Sequence, residues 1–477
     1  MQFTKRQVNI FFGLILFSGL FFCLVVPPFQ TPDEFNHNYK IHHLAQGHFL
    51  AEIDTPSVSL GGIVPKSLVS TSQFYESLVF SENKAPLDTL KKLLKIPLNK
   101  NDKTFVIFPN TARYAFTSYL ATIPVIYVAN IFNVNPIYSM YWGRIVNFLF
   151  WFGCIILGFR IMPIFKELYL LLCLLPGTIS IHASLSADTV NNGFLFLLIA
   201  LFFDFKFSKR PISNLKLIAF FILTLLVTWN KIVYFPMLFL LLLVDKEHFG
   251  SSLRKFCYSA FLLVSVLGVV FYWNHIIDRY IYPFDDTYIN TYHNLHEKED
   301  GSVGYEQVNP RLQIERIKSD PIRFLGVFLP AVLELYSYNN KTYISNVGWE
   351  SKTIHPDLNN TLVIVFLLYI LSLPNVFNRK ERLLFVALAF LMSTLFLLSQ
   401  HLHWDAVGEK MINGYLGKYF IAIYPLLFFA LSGLYNLSEK LEKYRIKIPF
   451  LLGILFIIAH LNMYLLTLER FYWGKIF

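Results

Sequence analysis

Two adjacent carboxylates, Asp33 and Glu34, closely follow the first apolar segment of the chain, and His37 lies about one helical turn further on. The segment before them, residues 8–26, is almost wholly apolar and about as long as a helix that spans a bilayer. Ionisable side chains at the end of a membrane helix are costly to bury, so they indicate a functional site by default. The pattern predicts a catalytic carboxylate at the outer face of a polytopic membrane protein.

Several roles are open for these side chains. Asp33 follows Pro32 at a point where a helix can begin, and aspartate is a good helix N-cap. Alternatively, a carboxylate in a cavity at the membrane surface acts as a general base, because burial raises its pKa toward neutral pH. His37 suits three functions: orienting a carboxylate, binding a phosphate, or filling a slot at the interface. The carboxylate pair could also hold Mg²⁺ or Mn²⁺, but we expect no required cofactor.

Three cationic side chains lie where they could meet a lipid phosphate. Lys231 is the one charged residue of the apolar run 217–244, where an ammonium group is expensive without an anionic partner. It either snorkels to the interface or contacts a phosphate. Arg144 lies near the outer end of the second predicted span, one helical turn from Asn147, and Lys418 faces the outer leaflet. Positive groups in these places could stabilise the charge of a leaving phosphate.

Other polar groups are weaker candidates. Asp188 and Asn192 belong to a cluster that is either an ordinary polar turn or part of a binding site. Arg113 and Tyr114 open an apolar segment that we place in the interface. The sequence His401-Leu402-His403-Trp404-Asp405 offers metal ligands, but histidines two apart in a loop are a weak metal signal.

Composition places the chain in the membrane class. Of its 477 residues 55% are hydrophobic and 15% are charged, whereas soluble proteins carry about a quarter charged residues. The net charge of +10 does not indicate nucleic-acid binding, because the excess Lys and Arg fall in short loops between apolar runs, as topology determinants do. The four cysteines all lie in apolar stretches and are interpreted as buried small hydrophobes. The N-terminal segment is interpreted as an anchor because it is too long for a signal peptide and lacks a small-residue cleavage site.

Apolar runs and basic turns together predict the topology. The segment 114–132 is apolar enough to span, but placing it in the interface leaves every basic cluster on the cytoplasmic side. The N-terminus is then cytoplasmic, and long extracytoplasmic loops cover residues 28–138 and 275–358. Amphipathic helices are predicted within 87–98 and 310–338. The predicted spans are 8–27, 139–160, 166–182, 189–206, 214–230, 231–245, 256–274, 359–377, 383–400, 418–436 and 448–467.

Short motifs along nearly the whole chain resemble the bacterial membrane family with domain of unknown function 2142. The chain departs from the family pattern at the last motif, where Leu416 and Lys418 stand in place of Gln and Arg. A charge is kept there, but the bidentate grip of arginine on phosphate is lost. The motifs are Pro32-Asp33-Glu34 with His37 and Gly47; Tyr141-Trp142-Gly143-Arg144 with Asn147; Leu175-Pro176 with Ser184 to Asp188; Lys231 before Pro236; Gly348-Trp349 with Pro356; and Gly417-Lys418-Tyr419-Phe420 with Pro425.

That family is in turn similar to glycosyltransferases of the GT-C class. The resemblance implies an all-α polytopic membrane protein with about 11 transmembrane helices and two long extracytoplasmic loops that carry interfacial helices. The implied parts are an N-terminal module (1–274), a second extracytoplasmic loop (275–358) and C-terminal helices (359–477). The catalytic loop of the first part is 28–138. The implied location is the bacterial cytoplasmic (inner) membrane, with the active site on the extracytoplasmic or periplasmic side.

The implied activity is an inverting transfer of a sugar from a polyprenyl-phosphate donor, such as an undecaprenyl lipid, to a cell-surface glycan. Lipopolysaccharide O-antigen modification by serotype-converting glucosyltransferases is one such activity. Asp33 or Glu34 would deprotonate the acceptor hydroxyl. Two alternatives stay open: a transporter or flippase of lipid-linked sugars, and a polysaccharide polymerase or ligase. Partners would be the lipid-linked donor, the glycan acceptor and membrane lipid. The expected substrate-binding residues are His37, Arg113, Tyr114, Arg144, Asn147, Asp188, Asn192, Lys231, Trp349 and Lys418.

Overall fold

Helices dominate the computed structural model of the chain. The structure describes residues 3–54, 59–76, 78–79, 81, 83–85, 87–277, 279, 288–289, 296–297, 303–304, 307–344, 349, 353–414, 417–434 and 447–473. Its α-helices, in chain order, are α1 (Lys5–Val25), α2 (Glu34–Ala45), α3 (Lys66–Glu76), α4 (Leu87–Leu93), α5 (Pro109–Ala112), α6 (Ile123–Ile131), α7 (Pro136–Ile161), α8 (Lys166–Cys173), α9 (Pro176–His182), α10 (Asp188–Phe207), α11 (Asn214–Asn230), α12 (Ser252–Ile276), α13 (Pro310–Ser319), α14 (Pro321–Ile344), α15 (Pro356–Leu371), α16 (Arg379–His403), α17 (Tyr424–Leu431) and α18 (Lys447–Phe471).

Six of these helices are long and apolar enough to cross a membrane, namely α1, α7, α10, α12, α16 and α18. They confirm a polytopic membrane protein and correspond to six of the eleven predicted spans. Among them α10 is the most enclosed, since nearly all of its side chains are buried. It packs against α7 and α11 at the centre of the main hydrophobic core.

The other five predicted spans are shorter or interrupted, and each of them except 214–230 contains a proline. The run 166–182 is divided into α8 and α9 at Pro176, which cannot donate a backbone hydrogen bond. The run 231–245 forms a 3₁₀ helix over Ile232–Leu243, and 418–436 is split between a 3₁₀ helix (Gly417–Phe420) and α17. The remaining two are α11 and α15, of 17 and 16 residues. Hydropathy averages over such interruptions, so six of the about eleven predicted transmembrane helices are found as helices long enough to cross a membrane.

The first long loop folds into a small subdomain against the ends of the membrane helices. Its three antiparallel strands, β1 (Glu52–Asp54), β2 (Ser59–Pro65) and β3 (Lys103–Ile107), form a sheet in that order. The sheet packs on α2, and this close approach requires glycine at position 62, where a Cβ atom would lie 2.4 Å from His43 Nδ1. All twelve residues of α2 are buried, so the helix is held from every side.

The segments predicted to lie along the membrane surface are helical, but their helices have other bounds than predicted. The apolar segment 114–132 contains a 3₁₀ helix (Phe116–Tyr119) and the nine-residue α6, which is too short to cross a bilayer. Within 87–98 the helix ends at Leu93. The predicted helix 310–338 is two helices, α13 and α14, separated by Asp320. The second loop also contains the paired strands β4 (Tyr288–Ile289) with β7 (Gln307–Val308) and β5 (His296–Glu297) with β6 (Val303–Gly304). Much of its remainder, including Gly348, and also Leu416 of the last motif, lies outside the described residues.

Basic side chains gather at one end of the membrane helices. Lys206, near the end of α10, forms an ion pair with Glu381 at the start of α16. Lys255, near the start of α12, donates a hydrogen bond of 2.6 Å to the carbonyl oxygen of Val244. Arg254 likewise donates a hydrogen bond to the side-chain oxygen of Asn214, the first residue of α11. These helices therefore share one basic end. At the opposite end, α11, α12 and α16 meet at a cavity.

Candidate active site

A cavity of about 390 Å³ lies where the first-loop subdomain meets the ends of α11, α12 and α16. Four of the chain's seven tryptophans line it, together with acidic, basic and amide side chains. A concave site that combines an apolar wall with a few convergent polar groups is the usual form of a small-molecule site. The lining residues are Pro32, Asp33, His37, Pro109, Asn110, Thr111, Arg113, Tyr114, Trp229, Asn230, Lys231, Ile232, Val233, Trp273, Ile277, Trp349, Phe396, Ser399, Gln400, His403, Trp404, Gly414 and Tyr419.

Asp33 lines the cavity in an unusual backbone conformation. Its φ of 64° lies in the left-handed region, which is costly for a residue with a side chain and is concentrated at functional sites. Asp33 occupies the N-cap position of α2, but its carboxylate makes no capping hydrogen bond. Instead Oδ1 accepts from Asn110 Nδ2 at 2.9 Å and Oδ2 from Lys418 Nζ at 2.6 Å. A capping role for this side chain is therefore wrong.

The electrostatics around Asp33 keep its carboxylate ionised. Burial by itself would raise the pKa of Asp33, but the adjacent Lys418 outweighs it, so the pKa lies below the ordinary value of 3.8. Burial lowers the pKa of His37 to about 4, so this ring is neutral at pH 7. His37 Nδ1 lies 2.8 Å from the Tyr119 hydroxyl, and the ring stacks parallel to Tyr114. His37 is thus held in place on the cavity wall.

Lys231 has the anionic partner that its apolar surroundings require. Its ammonium group forms an ion pair with Asp188, the first residue of α10, and both side chains are more than nine-tenths buried. The ammonium group also lies 4.4 Å from the centre of the Tyr419 ring and 5.5 Å from that of Tyr114, within the range of cation–π attraction. Lys231 therefore faces the cavity and does not snorkel into bulk water.

The two ion pairs form one cluster, which we call the charge quartet: Asp33, Asp188, Lys231 and Lys418. All four charges act on the neighbouring His37 ring. The quartet carries no net charge when all members are ionised, and Asp33 and Lys231 are its members on the cavity wall. An anion that enters the cavity can replace a carboxylate of the quartet as the partner of a lysine. The buried lysine then keeps an anionic partner.

Glu34 and Arg144 are placed behind the cavity, where they hold the structure together. The guanidinium group of Arg144 grips both carboxylate oxygens of Glu34, and Nε lies 2.7 Å from Oε1. It also donates to the carbonyl oxygens of Cys23, Val26 and Pro27 just after α1. Arg144 is fully buried and all five of its N–H groups have acceptors. The structure does not bring these two residues to the cavity wall, in contrast to the prediction of catalytic and phosphate-binding roles.

Asn147 and Asn192 support the turn before α10. Asn147 Nδ2 donates to the carbonyl oxygens of Ser184 and Ser186 at 2.8 and 3.1 Å. Asn192 Nδ2 lies 3.1 Å from Nε2 of His182, which is the last residue of α9 and comes just before that turn. Both amides therefore position Asp188 indirectly and lie outside the cavity lining.

The remaining predicted residues lie at the cavity or next to it. Arg113, Tyr114 and Trp349 line it, and the Trp349 indole N–H donates to the carbonyl oxygen of Phe29 at 3.3 Å. Lys418 lies next to the cavity, where it donates a hydrogen bond to Asp33 on the cavity wall. Asn110 is a lining residue that was not predicted, because an asparagine between a proline and a threonine carries no signal of its own. Tyr419 and the tryptophans Trp229, Trp273 and Trp404 were not predicted to line a site either. The clustering of aromatic residues at predicted outer helix ends was an available signal.

The residues that were predicted as possible metal ligands have other partners in the structure. The carboxylates of Asp33 and Glu34 bind different cations, Lys418 and Arg144, and so do not converge on one point. Both ring nitrogens of His401 are engaged, by Asp405 at 2.9 Å and by Gln313 at 2.7 Å. These groups fit a hydrogen-bonded core better than a metal site.

The chain matches the family model described as predicted membrane protein (DUF2142) over residues 16–427. No curated protein and no solved structure matches it. The matched range includes every residue that lines the cavity.

Proposed function

This chain belongs to the DUF2142 family of predicted membrane proteins, and we propose that it is an inverting glycosyltransferase that uses a polyprenyl-phosphate sugar donor. One observation carries the proposal. A single cavity combines an ionised carboxylate, buried cationic side chains and a wall of tryptophans. Those are the groups that such a transfer needs for its base, its leaving group and its sugar.

The cationic side chains suit the leaving group. When the bond between the anomeric carbon and the phosphate oxygen breaks, its electron pair stays on the phosphate. Lys231 and Arg113 on the cavity wall would stabilise this developing charge, and in a site shielded from water such stabilisation is a large part of catalysis. The donor reaches them from the membrane, since its lipid chain is apolar and its phosphate lies at the interface.

Asp33 suits the general base. The acceptor hydroxyl attacks the anomeric carbon from the side opposite the phosphate, and its proton passes to the Asp33 carboxylate as the new bond forms. Without donor, Lys418 holds this carboxylate ionised but weakly basic. A donor phosphate that attracts Lys231 and Lys418 loosens that hold, so that Asp33 becomes more basic when the donor is bound.

The aromatic wall suits the sugar. Trp229, Trp273, Trp349 and Trp404 present apolar rings beside Asn110 and Gln400. A sugar ring has apolar C–H faces and polar edges, and this lining matches both. Which sugar is carried, and to which glycan it is added, would be decided by these residues.

The membrane setting follows from the same proposal. If the basic ends of the helices are cytoplasmic, the cavity faces the extracytoplasmic side, where a lipid-linked sugar is presented to surface glycans. We propose that the five shorter or interrupted apolar segments complete a GT-C-like bundle of about eleven segments in the bacterial inner membrane. Broken helices are tolerated at membrane depth where protein surrounds them. We propose no required metal, because the Asp33 and Glu34 carboxylates already have cationic partners.

The test is a turnover assay with purified protein in lipid nanodiscs. Polyprenyl-phosphate sugars are supplied with surface glycan acceptors, and release of free polyprenyl phosphate is measured with and without acceptor. We expect the wild type to transfer sugar only when acceptor is present. Loss of a general base costs about 10²–10⁴-fold in rate, so Asp33→Asn should nearly abolish transfer.

Asp102→Asn is the matched control, because Asp102 belongs to the same loop but pairs with Lys66 on the surface. It should transfer at the wild-type rate. Wild-type rates for Asp33→Asn would remove Asp33 from the mechanism. Movement of intact donor across the bilayer, without any transfer, would instead favour the flippase alternative.

A further inference from the structure

A second cluster of potential ligands lies at the junction of α2 and β1, outside the lining of the cavity. Helix α2 ends at Ala45, and Gly47 reverses the chain with a φ of 92°, a conformation that favours glycine. This turn folds the ring of His48 against that of His43, with centroids 4.8 Å apart and planes 19° apart. Glu52, the first residue of β1, then approaches both rings. The fold thus brings two imidazoles and a carboxylate to one place.

The distances within this cluster are close to those around a bound ion. His48 Nδ1 lies 3.3 Å from Glu52 Oε1, and His43 Nε2 lies 4.0 Å from the same oxygen. One ligand atom from each residue lies within 4.8 Å of the other two. Ligand atoms on a tetrahedral zinc ion with bonds of about 2.0–2.2 Å are about 3.3–3.5 Å apart. Small side-chain rotations would therefore bring all three atoms onto one ion.

From this geometry we propose that His43, His48 and Glu52 bind a divalent transition-metal ion, with Zn²⁺ as the ion of best fit. Two histidines and a glutamate are a known zinc ligand set that leaves a fourth position for water. Mg²⁺ and Ca²⁺ prefer all-oxygen sites, so the imidazoles select against them. The proposal concerns a different site from the cavity and does not depend on the proposed function.

The surroundings allow an ion to enter and to be held. His43 is buried, whereas His48 and Glu52 are partly exposed, so the site is open to water on one side. Without metal, His43 Nε2 donates its hydrogen to the carbonyl oxygen of Leu50 at 2.8 Å. An ion at Nε2 takes the place of that hydrogen bond, and the imidazole hydrogen moves to Nδ1.

A bound ion would fasten the end of α2 to the sheet. Asp33 occupies the N-cap position at the start of the same helix, twelve residues before Ala45. Metal binding would therefore stiffen the frame that carries the cavity's carboxylate, without contributing a group to the cavity itself.

The test measures metal binding directly in the purified full-length protein, with an affinity tag that contains no histidine. Zinc content after dialysis is measured by elemental mass spectrometry, zinc affinity by titration calorimetry, and Co²⁺ binding by its visible absorption bands. We expect one equivalent of Zn²⁺ per chain and a higher melting temperature in its presence. The variants are His48→Ala and Glu52→Gln, because both side chains are partly exposed and neither belongs to the hydrophobic core.

Each variant should bind Zn²⁺ at least tenfold more weakly and lose the thermal shift. His275→Ala is the matched control, since it removes an exposed histidine elsewhere and should bind like the wild type. The proposal is overturned if the wild type binds no zinc at micromolar concentration, or if both variants bind it as tightly as the control.

Discussion

The clearest structural prediction is that Glu34 holds the fold together and does not catalyse. In Glu34→Gln the side chain keeps its shape but loses its charge, which leaves the guanidinium group of Arg144 buried and unpaired. Three of that group's five hydrogen bonds, to carbonyl oxygens, remain. Removing one partner of a buried ion pair costs about 3–5 kcal/mol, and the amide still accepts one hydrogen bond, so we expect about 3 kcal/mol.

The assay is thermal unfolding in detergent, followed by intrinsic tryptophan fluorescence. Glu34→Gln should melt well below the wild type, whereas Asp102→Asn should melt close to it. Asp102 pairs with Lys66 at 2.7 Å, but both side chains are about half exposed, and exposed pairs contribute about 0–1 kcal/mol.

The transfer rate of the folded fraction then separates structure from chemistry. Glu34→Gln protein that is still folded at low temperature should transfer sugar at close to the wild-type rate. An unchanged melting temperature together with no transfer would instead make Glu34 a catalytic residue.

Three further predictions concern the charge quartet and the topology. Lys418→Met removes the cation that holds the pKa of Asp33 below 3.8, so burial should raise that pKa. The acid limb of the pH–rate profile should then shift to higher pH. An unshifted limb would contradict the pairing of Asp33 with Lys418. Lys231→Met should weaken binding of polyprenyl phosphate about 10–100-fold in a lipid-binding titration, because hydrogen bonds to charged groups contribute about 1.5–3 kcal/mol. An unchanged affinity would contradict a contact between Lys231 and the phosphate. Cys257 is exposed, in contrast to the prediction that all four cysteines are buried, so it is first replaced by serine. Lys100→Cys should then react with an impermeant thiol reagent added outside intact cells and Lys209→Cys should not; the reverse pattern would invert the topology.

The sequence was sufficient for the membrane class and for the long helices, because apolar length and basic turns are local signals. It was not sufficient for the interrupted segments. Pro176 and Pro236 lie within apolar runs whose average hydropathy resembles that of a continuous span. Whether such a run forms one helix or two is decided by the backbone hydrogen bonds that proline removes.

For the site, charges at helix ends pointed to Asp33, Lys231 and Lys418, and the structure places these residues in one cluster. Their pairing was not predictable, since Asp33 and Lys418 are 385 residues apart. Nor could the sequence separate Asp33 from Glu34. The left-handed backbone at Asp33 turns one carboxylate to the cavity and leaves the next facing Arg144.

The proposed transfer is tested most directly by a cryo-electron microscopy structure of Asp33→Asn with a polyprenyl-phosphate sugar, since this variant should hold the donor without consuming it. We expect the phosphate within about 3 Å of Lys231, the distance of a charge-assisted hydrogen bond, with the sugar against the cavity's tryptophans and its anomeric carbon facing residue 33. Donor density at another surface, or in this cavity with the phosphate turned away from Lys231, would contradict it.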